Sequence, residues 1–118
     1  MNIFNEAAEI MRKQGRGKHG LVNSNGKVCI LGAVGLAAQH QGVIKIYDDI
    51  YDQNELVKPL SKVIVEQDPY FAQTPEIVNK EFNDIETCHV WNDDWCDDDE
   101  LAIQMLEKAG VLYDERIL

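Results

Sequence analysis

Residues 88–110 read CHVWNDDWCDDDELAIQMLEKAG, and the rest of the chain has to be fitted around the helix that ends this stretch. Val90 and Trp91 lead through a very acidic turn into that helix, whose Leu101, Ile103, Met105 and Leu106 are nearly the only strong core material near the C-terminus. Asp97 or Asp98 stands where the first free amides need a cap, and the carboxylates through Glu100 lie at the positive end of the helix dipole. Lys108 falls in the last turn, and Gly110 is placed for a left-handed stop. These features account for the folding of the segment and name no activity.

Working outward towards the N-terminus, Thr74 is a good N-cap for a helix through Phe82 with Ile77 and Val78 inward. Pro59 breaks any long helix in this region unless it stands in the first turn of one running to about Gln67, with Leu60, Val63 and Ile64 inward. In KIYDDIYDQNELV, Ile46, Tyr47, Ile50 and Tyr51 line one side of a short helix and Asp48, Asp49 and Asp52 the other. ILGAVGLAAQH, residues 30–40, is a buried helix whose glycines cost helix propensity and so mark the close approach of another element. Before it, Leu21-Val22, Asn23-Ser24-Asn25-Gly26 and Lys27-Val28-Cys29 read as a tight β-hairpin, Asn25-Gly26 supplying the positive φ. The glycines of RKQGRGKHG make an open basic loop, and the first helix runs from a cap near Asn2 to about Gln14 on a face of Phe4, Ala7, Ala8 and Met11. The expected fold is mainly α with a small β-hairpin (α+β), a compact single-domain helical bundle over residues 1–118.

With 45% hydrophobic and 27% charged residues the chain has an ordinary globular composition, which excludes wholesale disorder. Its longest apolar run, Val28 to Ala38, is about half of the roughly 20 residues that span a bilayer, and the N-terminus lacks a signal peptide's order of basic then apolar residues. Three cysteines are too few for a disulfide scaffold, so free thiols in the cytoplasm are expected. The formal charge of −10 is divided unevenly: residues 1–43 hold five Lys/Arg against two acids, and the remainder holds six against nineteen. A negative field of this kind repels nucleic acid and attracts basic protein surfaces.

Three candidate sites follow. The turn Asp93, Asp94, Trp95, Asp97, Asp98, Asp99 and Glu100 sets carboxylates beside a large aromatic, the chemistry that receives an Arg/Lys-rich protein. The same acids lack the spacing and central glycine of an EF-hand, and Cys88, His89 and Cys96 lack paired zinc-ligand spacing and a fourth ligand, so neither a metal nor another cofactor is expected. Arg12, Arg16 and Lys18 in the Gly-rich loop suit a phosphate or nucleotide, although the P-loop pattern is absent. Cys29, at the start of a helix that would lower its pKa, is a candidate nucleophile with His19, His40 or His89 as base; a small buried thiol is the alternative. Met11, Trp95, Tyr47, Tyr51 and Tyr113 are either core or a patch for a homodimer.

The N-terminal helix ending in glycines, the segment GKVCILGAVGLAA and the VWNDD before a final amphipathic helix resemble a family of small uncharacterised proteins of bacteria and their phages. The family resembles Gly-x-Val-Cys-Leu-x-Gly-Ala followed by Trp-Asn-Asp, matched here by Gly26, Val28, Cys29, Gly32, Ala33, Trp91, Asn92 and Asp93. The chain departs from it in lacking a tryptophan in the first Gly-rich loop and in carrying Asp94-Trp95-Cys96-Asp97 after Asn-Asp. The resemblance implies an intracellular, often phage-borne setting and transfers no catalytic residue; Asn92 and Asp93 read as side chains that tie the turn to backbone groups. The leading functional expectation is an acidic, cytoplasmic, non-enzymatic protein-binding module, such as a phage inhibitor that blocks a nucleic-acid-handling or defence protein of the host. The alternatives are a Cys29 enzyme and a nucleotide-binding protein.

Overall fold

The computed structural model describes residues 1–117. Its helices run in the order α1 (Ile3–Gln14), α2 (Ile30–His40), α3 (Lys58–Gln67), α4 (Pro69–Ala72), α5 (Pro75–Val78), α6 (Asp84–Val90) and α7 (Asp99–Ile117). A 3-10 turn at Ile50–Asp52 and a π-helical turn at Trp91–Trp95 complete the order. Asn2 starts α1, its side-chain oxygen accepting from the amides of Phe4 and Asn5 at 3.0 and 2.9 Å. Ile3, Phe4, Ala7, Ala8 and Met11 then share the buried face that the helical spacing dictates.

Five of these helices close a circuit. α2 packs on α1, α1 on α7, α7 on α3, α3 on α6, and α6 returns to α2. α2 is buried along most of its length because small residues let its neighbours approach from several sides. A Cβ on Gly32 would run into the carbonyl of Leu21, so the incoming loop lies directly on the helix. Trp91, Phe4, Phe71, Leu60, Ile64 and Leu106 are among the largest fully buried side chains, each contributing roughly 1.5–3 kcal/mol by leaving water. The Trp91 indole N–H is not orphaned in that core, since it donates to Asp68 Oδ2 at 3.0 Å. Asp68 also caps α4, with Oδ1 accepting from the Phe71 amide at 3.1 Å.

The expected β-hairpin is not present: the described residues contain no β-strand and only isolated bridges that pair Val28 with Arg16 and with Val22. The turn itself does form, the Asn23 amide donating to Lys27 O at 2.9 Å with Gly26 at φ 79°. A ladder fails to extend from it because the arms are short and Val28 turns elsewhere. The Val28 amide donates to Gly15 O at 2.9 Å and its carbonyl accepts from Gly17 at 2.8 Å, so the glycine loop takes the place of a second strand. One residue later, Cys29 caps α2 and ends the extended backbone.

Other boundaries also moved. The helix expected over 74–82 stops after Val78, with Lys80 in the left-handed region at φ 57°. Thr74 is spent differently as well, its hydroxyl donating to Phe71 O at 2.8 Å. Residues 45–57 keep a 3-10 turn in place of a short α-helix; Asp49 caps it by accepting from the Tyr51 amide at 2.9 Å. Gly110 is not a stop, because α7 continues to Ile117. It is buried where α1 crosses α7, and a Cβ there would meet Asn5 Oδ1.

Candidate functional site

The acidic turn is built from a helix that changes pitch. Asn83 and Glu86 form a reciprocal capping box at the start of α6, with bonds of 2.7 and 3.0 Å. The helix then widens, the Cys96 amide reaching Trp91 O at 2.9 Å. The π-helical turn keeps Trp91 and Asn92 buried and leaves Asp94 and Trp95 exposed. A local change of this sort recurs at functional positions in helices.

Asn92 is wholly buried and fully engaged. Its Oδ1 accepts from the Ile30 amide at 3.1 Å, one of the free amides at the start of α2. Its Nδ2 donates to Gly17 O at 3.1 Å and to Asp93 Oδ1 at 2.9 Å. Asp93 Oδ1 also accepts from the His19 amide at 3.1 Å, and its other oxygen lies 3.6 Å from His19 Nδ1. From the opposite side Arg16 donates to Asn92 O at 2.7 Å, to Cys96 O at 2.8 Å and to Asp99 Oδ1 at 3.0 Å. The Gly-rich loop and the acidic turn are therefore one polar tie, in which a planar guanidinium spans two carbonyls and a carboxylate as an ammonium cannot.

This arrangement divides the candidate residues. Asp93 turns inward and Asp99 holds Arg16, whereas Asp94, Trp95, Asp97, Asp98 and Glu100 remain exposed. Asp98 also caps α7, accepting from the Glu100 amide at 3.0 Å. Trp95 is 42% exposed and leans on Phe71 with ring centroids 5.5 Å apart. Beside it opens a cleft of about 410 Å³ walled by Phe71, Phe82, Val90 and Trp95, with Asp94 and Glu76 supplying carboxylates.

The three basic-loop candidates are not gathered around one point. Arg12 pairs with Glu9 and Glu107 at 2.9 and 3.0 Å, Arg16 is buried in the tie, and Lys18 is exposed. Cys29 does cap α2, its sulfur accepting from the Gly32 amide at 3.3 Å. Burial pushes its thiol pKa up all the same, outweighing the lowering by that bond. The histidines are engaged separately: His19 at Asp93, His40 at Glu6 (2.8 Å), and His89 edge-on to Tyr51. Cys88 is fully buried, with its pKa raised well above the ordinary thiol value by desolvation, and Cys96 is raised for the same reason. Among the described residues no three His, Cys, Asp or Glu side chains gather as a metal site would require. Of the proposed self-association residues, Met11 is core and Tyr113 packs on Phe4, while Tyr47, Tyr51 and Trp95 stand exposed.

The pattern described as "Family of unknown function (DUF6197)" matches residues 1–111, which takes in the glycine loop, α2 and the whole of the acidic turn. The chain belongs to this family. No curated protein and no solved structure matches it. The matched residues include the tie centred on Arg16 and Asn92 and the exposed residues beside it. Sequence reasoning missed the capping box, the π-helical turn and the Asp68–Trp91 bond. Asn83-x-x-Glu86 was the available signal for the first; the other two depend on contacts between distant segments.

Proposed function

We propose that this protein is a non-catalytic binding module that docks a basic protein surface on the face around Trp95. The observation that carries this reading is the half-exposed Trp95 at the edge of an aromatic cleft with Asp94 and Glu76 beside it. An Arg or Lys placed there gains an ion pair and an aromatic face, worth about 0.5–2 kcal/mol per cation–π contact. Exposed Asp97, Asp98 and Glu100 extend the negative potential and speed encounter with a positive partner. Basic surfaces of this kind belong above all to proteins that handle nucleic acid. A phage-encoded inhibitor that occupies such a groove in a host enzyme or defence protein is the specific form of the proposal.

The test is capture of partners from nuclease-treated host lysate by the wild type and by Trp95→Ala and Asp94→Lys/Asp97→Lys variants. Asp99 is left unchanged because it holds Arg16. The expected result is a partner retained at low salt by the wild type and lost from both variants. A partner held equally by all three proteins would refute the assignment of this face.

A further inference from the structure

A second opening lies along α2, where Leu21 and Val22 and the 3-10 turn at Ile50 lie over the helix. It encloses about 300 Å³ between Leu21, Val22, Leu36, Tyr47 and Ile50, with Gly32 and Gly35 as the bare stretch of helix between them. That volume is at the small end of ligand pockets, which run from roughly 300 to 1,000 Å³, and it suits one inserted side chain. Val22 and Tyr47 on its lining are exposed apolar side chains. Of the ten large hydrophobic side chains that stand exposed among the described residues, Val22, Val43, Ile46, Tyr47 and Tyr51 lie on its walls or on the segment 43–51 that forms one of them. An apolar opening with exposed Val22 and Tyr47 on its wall has the make-up of an interface core.

The two charged residues that line the opening are both acidic, with Lys45 beside them over Tyr47. Asp48 and Asp49 line the opening, and each spends one oxygen on local backbone: Asp48 Oδ2 accepts from the Lys45 amide at 2.7 Å and Asp49 Oδ1 from the Tyr51 amide at 2.9 Å. Each keeps a second oxygen for a cation. The exposed face of Tyr47 already draws one, with Lys45 Nζ 5.6 Å from the ring centroid. An apolar hole with a carboxylate rim complements a large apolar side chain flanked by basic residues.

We infer that this groove is an anchor site for a segment of a basic partner protein that inserts one aromatic or large aliphatic side chain between Lys or Arg residues. The inference rests on the proposed binding function for the class of partner, and it places a second point of attachment on α2. The groove positions the anchor; Asp48 and Asp49 select its neighbours by charge.

The test uses a defined probe, the blocked peptide Lys-Arg-Phe-Arg-Lys, titrated into isotope-labelled full-length protein and followed by amide chemical shifts. A control peptide carries Gly in place of Phe. The expected result is shifts centred on Gly32, Gly35, Leu36 and Gln39, with affinity falling roughly fivefold or more for the Gly peptide and for Tyr47→Ala. Tyr47 is 76% exposed, so its removal leaves the fold intact. Asp49→Asn keeps the turn cap, removes the charge, and is expected to weaken binding with a shallower salt dependence. Shifts confined to Trp95 and Asp94 would overturn the groove while leaving the proposed function standing. Shifts at neither face would overturn both. Concentration-dependent shifts of the α2 amides without peptide would overturn the assignment by giving the groove to a second copy of the chain.

Discussion

At the scale of single residues, Asn92 and Arg16 hold together segments that lie 76 positions apart. Replacing Asn92 by Leu leaves the Ile30 amide and Gly17 carbonyl without their partner in a site with no exposure. Each stranded group costs about 1–3 kcal/mol, so a loss of about 2–5 kcal/mol in urea unfolding is expected. Arg16→Lys should recover only part of the loss seen in Arg16→Met, because a compact ammonium has three donors on one nitrogen and lacks the planar fork that reaches acceptors held by three separate guanidinium nitrogens. Equal stability of the Lys variant and the wild type would contradict the three-point tie. The thiols give a pH-dependent expectation. Burial raises Cys88, and to a smaller extent Cys29 and Cys96, so the folded protein keeps those protons at pH values where the unfolded chain, with a thiol pKa of about 8.5, has released them. That stabilisation is complete below pH of about 8.5 and is lost as the pH rises towards the folded values. Unfolding midpoints should therefore fall above this pH, and Cys88→Ala should flatten the fall. Iodoacetamide should label Cys29 slowly at neutral pH in the folded protein and quickly in urea.

Elements whose fate depends on local chemistry were legible: Asn2 as a cap, the apolar spacing of α1 and the unbroken run 30–40 each decided a helix within the sequence itself, whereas Pro59 left open a break or a first turn and the structure has the first turn. What could not be read locally was decided by distant partners. The hairpin arms were too short to compete with the glycine loop for Val28, and Gly110 looked like a terminator only because Asn5 cannot be seen from position 110. The acidic turn was located correctly as a stretch, but which of its carboxylates face outward depended on the π-helical turn, which has no composition signal of its own. Gly110→Ala separates the two views of that residue. Helix propensity alone favours Ala by about 1 kcal/mol, whereas the close crossing with α1 makes a Cβ collide with Asn5. Destabilisation of about 1–3 kcal/mol is expected, and a more stable variant would show that α1 moves aside freely.

For the molecule as a whole, the circuit of helices joins the N-terminal third to the C-terminal third, since α1 packs on α7 and Arg16 reaches the turn before it. Of the five basic residues among the first 43, Arg16 is spent inside the fold on Asp99 and Arg12 pairs with Glu107 at the surface, while Lys13, Lys18 and Lys27 stay exposed; Asp94, Asp97, Asp98 and Glu100 leave the face around Trp95 acidic. No helix among the described residues is long and apolar enough to cross a membrane. The two proposed docking faces, the Trp95 cleft and the α2 groove, both have carboxylates in their lining. Their shared sign is what ties the proposed function to a basic protein. The most direct measurement is the affinity of the captured partner for the wild type and for Trp95→Ala across a range of salt concentrations. An ion-steered interface predicts weakening with salt and a loss of about tenfold or more on removing the indole. Affinity that is indifferent to both salt and Trp95 would contradict it.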